Sequence, residues 1–98
     1  MRLAKYVKAV VDRKRYQIDY SDWLDTGETI QQVIFAVANN TPGNPLVVDS
    51  IAVLPDGQSV QYYVSGGENG LTYEINPTMT SVLGQVREDE LLMTIRNP

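Results

Sequence analysis

The residues most suggestive of chemistry are Asp25, Thr26 and Gly27. Asp-Thr-Gly is the catalytic signature of aspartic proteases, in which two close carboxylates share a proton, and a short β-rich chain can supply one Asp to a dimeric, retropepsin-like site. The surroundings argue against that chemistry. Such enzymes place a small residue and then an acid after the Gly, and carry a glycine-rich flap and a Gly-Arg-Asp/Asn helix near the C-terminus. Here Glu28 follows Gly27 directly, and Gln85-Val86-Arg87-Glu88 stands where that helix belongs. Read as turn chemistry, the same segment lets Asp25 accept local backbone N–H groups and Gly27 supply a positive φ, so Asp25 is expected to be structural.

Two further constellations invite and fail the same test. Asp19, Asp22 and Asp25 recur every third residue, but this is not the Asp-x-Asp-x-Asp-Gly spacing of a calcium loop, and strand geometry scatters the three over both faces. Ser65-Gly66-Gly67-Glu68-Asn69-Gly70 is glycine-rich, yet it lacks the Gly-Lys-Ser/Thr ending and the following helix of a phosphate cradle. It reads instead as a hairpin connection with residues at positive φ. The sequence has no Cys and no His, which removes disulfides, thiolate or imidazole-assisted nucleophiles and zinc sites built on those ligands. No catalytic residue, metal or cofactor is expected.

Charge is the more informative signal. Residues 1–15 carry six cations against Asp12 alone, whereas residues 16–98 carry two cations against eleven acids, and the whole chain has a net charge of −4. An acidic body repels phosphate backbones, so nucleic-acid binding is not expected. A basic segment on an acidic body suits docking onto an acidic protein surface, another copy of the chain included. The candidate partner-binding residues are Arg2, Lys5, Tyr6, Lys8, Arg13, Lys14 and Arg15, joined by Tyr63, which the alternation of its strand turns outward beside an inward Tyr62.

These residues must be positioned by a single domain, since 98 residues with 43% hydrophobic content fall in the usual single-domain range of roughly 50–250 and exclude a two-domain enzyme. No apolar run approaches the roughly 18 residues of a membrane span, and a soluble protein made inside the cell is expected. Two-residue alternation runs through Tyr16-Ile18-Tyr20, Val33-Phe35-Val37, Val60-Tyr62-Val64, Leu71-Tyr73-Ile75 and Leu91-Met93-Ile95, with a β-branched run over 46–53. Turn signals at 25–27, 39–45, 55–57, 65–70 and 81–84 separate them. The pattern predicts an all-β antiparallel sandwich of six to seven strands. Pro77, which lacks a ladder N–H, predicts a sheet edge or a bulge. Leu3, Tyr6, Val7 and Val10 have helical spacing, while Leu3, Val7 and Val11 fit one face of a strand. An extended basic arm over 1–13 that becomes the first strand, leading into a sandwich over 14–98, is the favoured division. Trp23, the sole tryptophan, is expected to plug one end of the core, and Arg87 among acids to form a surface ion pair of little worth.

Three blocks then carry a resemblance: Asp19 to Ile30 (DYSDWLDTGETI), Val64 to Ile75 (VSGGENGLTYEI) and Thr80 to Leu91 (TSVLGQVREDEL). In this order they resemble the small virion proteins of tailed bacteriophages known as fibre-to-tail adaptors, with their Asp-Trp/Tyr-Ser-x-Trp-Leu-x-x-Gly-Asp/Glu-Thr-Ile opening, Ser-Gly-Gly-x-x-Gly-x-x-Tyr-x-Val centre and Thr-Ser-x-Gly-x-x-x-Asp/Glu-Glu close. The resemblance implies an immunoglobulin-like sandwich, no catalytic activity, and a place in the virion in many copies, joining fibre or spike to tail or neck. A capsid decoration protein is the alternative within the same class. Two departures, a longer segment over 38–58 and the basic start, mark places for a changed docking partner.

Overall fold

The computed structural model describes residues 2–98, which form eight strands and no helix. They are β1 (Arg2–Lys8), β2 (Lys14–Asp19), β3 (Ile30–Val37), β4 (Leu46–Val53), β5 (Ser59–Gly66), β6 (Thr72–Ser81), β7 (Val86–Glu88) and β8 (Glu90–Ile95). One sheet runs β1-β8-β6-β3, with β7 also pairing β6; the other runs β2-β5-β4. All paired neighbours are antiparallel except β1 and β8, which are parallel. The expected immunoglobulin-like sandwich is therefore present. Its eighth strand arises at Asp89, where the last expected strand breaks into β7 and β8.

Alternation explains the core. Successive strand residues point to opposite faces, so Tyr16 and Ile18 of β2, Val60, Tyr62 and Val64 of β5, Tyr73, Ile75 and Met79 of β6, and Leu91, Met93 and Ile95 of β8 all project between the sheets and are buried. An aromatic row crosses this interior: Tyr6 lies 4.5 Å from Tyr16, Tyr16 lies 5.8 Å from Tyr62, and Tyr62 lies 4.6 Å from Phe35, centroid to centroid. Such offset and tilted rings combine large apolar area with favourable quadrupole geometry.

Pro77 sits in the middle of its sheet, not at an edge. In an antiparallel strand a residue's N–H and C=O face the same neighbour, and the Pro77 carbonyl accepts the Asp89 N–H at 3.0 Å. The missing N–H thus falls opposite the break between β7 and β8, where the ladder is already interrupted.

Two expectations about connections are corrected. The 65–70 segment is no hairpin: β5 and β6 belong to different sheets, and this segment crosses between them. Gly66 and Gly67 have φ of 72° and 94°, and a Cβ would come within 2.5 Å of the Pro45 carbonyl oxygen at Gly66 and 2.9 Å of Ile95 at Gly67. The crossing is tight because its backbone lies directly on the end of the core. The boundary at 13/14 likewise separates no free arm from the body. Residues 2–8 are a full strand of the five-stranded sheet, with Leu3, Ala4 and Tyr6 packed on the core. A strand won over helical spacing because β8 offers β1 an open ladder, and an isolated short helix has no comparable partner. The face is not the expected one: the register shift between Arg2 and Ala4 leaves Ala4, Tyr6 and Lys8 inward beside Leu3, while Val7 and Val11 are exposed.

Candidate functional site

The basic residues follow one edge of the sandwich, along β1, the turn after it, and β2. The turn is organised by Lys8. Its side chain is buried, and Nζ donates to the carbonyls of Ala9 at 2.8 Å, Asp12 at 3.2 Å and Val10 at 3.4 Å. Burial pulls its pKa below the ordinary lysine value, against the opposing pull of Asp12. Lys8 therefore holds the turn from within and is not a surface contact, contrary to the sequence expectation: the inward parity of Tyr6 in β1 is also the parity of Lys8. Tyr6 is half-buried against Tyr16 and belongs to the packing as much as to any surface.

The other candidates are outside. Arg2 donates from Nε to Glu90 Oε1 at 2.9 Å, and this bond holds the Glu90 carboxyl below the usual glutamate range. Arg13 donates from Nη2 to Asp49 Oδ1 at 2.9 Å and stacks its guanidinium 4.1 Å above the Tyr63 ring. Tyr63 is thus half-covered by a cation of its own chain. Lys5, Lys14 and Arg15 are exposed, with Lys14 Nζ 5.8 Å from the Tyr16 ring centre. The structure sets Arg2, Lys5, Lys14 and Arg15 along the β1–β2 edge, turns Lys8 inside, and sends the Arg13 guanidinium across the outer face of the β2-β5-β4 sheet to Asp49 of β4.

Below that edge the sheets open into two adjoining hollows of about 200 and 210 Å³, which share Leu3, Ile18 and Asp19 as lining. The second also includes Asp22, Trp23 and Arg87. Trp23 is only partly buried, with the Arg87 guanidinium 5.7 Å from its ring. Tyr20 and Leu24 plug this end of the core instead: both Trp23 and Leu24 donate backbone N–H to the Tyr20 carbonyl, a tight turn that swings the indole to the rim. Arg87 pairs with Asp89 at 2.8 Å, and the Asp89 side chain is 1% exposed. This is a half-buried ion pair, not the surface pair expected, because the break at Asp89 turns its carboxylate inward.

Sequence reasoning also missed Glu28. Its buried carboxylate accepts the Asp25 N–H at 2.9 Å, Gln85 Nε2 at 2.9 Å to each oxygen, and the Ser81 hydroxyl. These donors, Ser81 foremost, hold it below the usual glutamate range. Within Asp-Thr-Gly-Glu the Glu, not the Asp, is the structural carboxylate, reaching back to the Asp25 N–H as a capping residue would. Asp25 itself is exposed and accepts a 3.3 Å bond from Gln85. The network ties the 25–28 turn to the β6–β7 hairpin, whose Val82, Leu83 and Val86 are exposed. Among the described residues no three Asp or Glu side chains group closely enough to hold a metal ion; Asp19, Asp22 and Asp25 are not brought together.

Comparison with known proteins supplies the context for these surfaces. No curated protein matches. A likeness of fold, with a TM-score of 0.53 at 8% identity, exists to the crystal structure of a 2,6-sialyltransferase from the Vibrionaceae bacterium Photobacterium sp. JT-ISH-224 in ternary complex with CMP and lactose; it covers 100% of this chain but 18% of that one. The likeness is one of fold alone. The family described as podophage GP4 fiber-tail adaptor protein gp77 matches residues 8–94, taking in seven of the eight strands nearly whole. The chain belongs to this family of bacteriophage fibre-tail adaptors, structural proteins of the virion.

Proposed function

We propose that the protein works without catalysis, as a multi-copy adaptor that joins tail fibres or spikes to the tail or neck of the particle. The observation that carries this reading, within the family assignment, is the row of exposed cations Arg2, Lys5, Lys14 and Arg15 on the β1–β2 edge of a chain whose net charge is −4. A row of one sign on a body of the other gives the molecule a preferred face toward an acidic neighbour and speeds productive encounter. Arg2 and Arg13 are engaged with Glu90 and Asp49, so Lys5, Lys14 and Arg15 are the cations with charge to offer. Repetition around a symmetric tail then makes modest single contacts durable.

The test is uptake of purified protein onto particles that lack it. Lys5→Glu, Lys14→Glu and Arg15→Glu together lie on exposed positions and leave thermal unfolding within a few degrees of the parent. Uptake is expected to fall at least tenfold, and the parent's uptake to fall with salt as the screening length shrinks from about 10 Å at 0.1 M to about 3 Å at 1 M. Undiminished uptake of the triple variant would sink the reading.

A further inference from the structure

Apart from the three-residue β7, which pairs only β6 and is guarded by its shortness and by Arg87 and Glu88, the sandwich has four edge strands, β1, β3, β2 and β4. Exposed edges invite pairing with other chains, and proteins guard them with charge, proline, bulges or short length. Three of these edges are guarded. β1 carries Arg2 and Lys5 and has a register shift between Arg2 and Ala4. β2 carries Lys14, Arg15 and Asp19. β4 is entered through Pro45 and is broken by a bulge between Asp49 and Ala52, where Ser50 has a φ of 52°.

β3 has none of these devices. Its eight residues, Ile-Gln-Gln-Val-Ile-Phe-Ala-Val, include no charge and no proline, and its pairing with β6 is regular from Gln32 to Val37. Only its start is covered, where the Ile30 N–H donates to the Gly57 carbonyl at 2.8 Å. The Ala38 N–H donates to the Glu74 carbonyl on the β6 side. Backbone groups alternate along an antiparallel strand, so Gln32, Ile34 and Ala36 also face β6, and Val33, Phe35 and Val37 turn their N–H and C=O groups outward. On the sheet face away from the core, Ile34 is 58% exposed.

We propose that β3 pairs antiparallel with β3 of a second copy across a twofold axis, with Ile34 opposite Ile34, merging the two five-stranded sheets. The occupant follows from the edges: the guarded strands repel or misregister a newcomer, and the unguarded edge that remains to match β3 is β3 itself. An isologous contact is self-complementary by construction, and with no charge in the strand it places no like charges face to face. The register follows from backbone parity. Centring on Ile34 sets Val33 against Phe35 and Phe35 against Val33 as pairs that exchange both backbone bonds, while Ile34 meets Ile34 as a closer, non-hydrogen-bonded pair on the outer face. This gives a surface to the multi-copy aspect of the function proposed above. Attachment uses the opposite edge of the sandwich, so the two ideas fail separately.

The chain has no cysteine, which makes a single introduced thiol diagnostic. Across a non-hydrogen-bonded antiparallel pair the Cα atoms lie about 4.5 Å apart, inside the disulfide range of about 4.4–6.8 Å. Ile34→Cys is expected to form a covalent dimer on mild oxidation. Ala36→Cys, on the same face but opposite Gln32 of the partner, should stay uncrosslinked. Sedimentation velocity of the parent should give twice the chain mass, and Ile34→Lys, at an exposed position, should give a folded monomer with unchanged circular dichroism. A parent that sediments as a monomer at all concentrations, equal crosslinking at residues 34 and 36, or a dimer untouched by Ile34→Lys would each overturn the proposal. Particle uptake measured on the Ile34→Lys monomer reads the adaptor function independently.

Discussion

Tyr62 and Tyr73 are both 0% exposed, yet the same substitution should move stability in opposite directions at the two sites. The Tyr73 hydroxyl accepts the Glu68 N–H at 2.8 Å and shares a 2.8 Å bond with Thr41 Oγ1. The Tyr62 hydroxyl is buried with no partner among the described residues, and burial pushes its pKa far above the ordinary tyrosine value. A buried polar group without a partner costs about 1–3 kcal/mol of desolvation. Tyr62→Phe removes that cost, and the small void left by one oxygen returns only about 0.5 kcal/mol at roughly 24 cal/mol per Å³. The net expectation is a gain of about 1 kcal/mol, which in a domain of this size raises Tm by about 4–8 °C. The Thr41 hydroxyl gives its own proton to the Asn44 carbonyl at 2.7 Å, so the Tyr73 hydroxyl donates to it. Tyr73→Phe instead strands the Glu68 N–H without its acceptor and Thr41 Oγ1 without its donor, and should lose about 1–2 kcal/mol. Calorimetry gives the Tm values, and urea unfolding followed by circular dichroism checks that the midpoint moves while the slope does not. Shifts of the same sign in the two variants would refute the assignment of hydrogen-bonding state to these hydroxyls.

Two more outcomes follow from the site. Glu28 has a folded pKa depressed below 4.5, so its stabilising contribution is complete above that value and is lost as pH falls through the lower folded value. Thermal scans between pH 2 and 6 should show the parent losing Tm on acidification, and Glu28→Gln should be less stable at pH 6 with a flatter acid limb; an identical limb would place the sensitivity elsewhere. Deleting residues 1–8 removes the β1 ladder, the Tyr6–Tyr16 contact and the Lys8 anchor. The truncated chain should lose its cooperative unfolding transition, and a parent-like transition would mean that β1 is dispensable.

The strands that alternate cleanly, such as Val60-Tyr62-Val64 and Leu91-Met93-Ile95, were legible because each side-chain parity is set by burial on one face. What was hidden depends on partners distant in the chain. The helical and extended readings of Leu3 to Val11 are equal in periodicity, and the choice is made by β8, some ninety residues away. Lys8 reads as one more surface cation until pairing fixes its parity and the turn folds its carbonyls around the ammonium. Glu28 looked like a mere departure from a protease motif because Ser81 and Gln85 lie 53 and 57 residues on. The β3 edge was visible as an apolar strand, but its exposure is a property of topology, and no local pattern announces which strand will be left without a neighbour.

The parallel pairing of β1 with β8 has a mechanical consequence. Arg2 lies beside Glu90 and Lys8 beside Ile95, and the Arg96 N–H continues the ladder to the Lys8 carbonyl at 2.9 Å. The chain thus enters β1 at one end of the sheet and leaves β8 at the other. Tension applied between the two chain ends slides these strands along each other, so the bonds of the ladder share the load and must yield together. A hairpin such as β6–β7, pulled at its open end, would unzip bond by bond. Forced unfolding is governed by the unfolding barrier and not by equilibrium stability, and this geometry puts a shear-loaded clamp across the first and last strands. A domain built this way can carry force between the start of β1 and the end of β8 while its equilibrium stability stays ordinary.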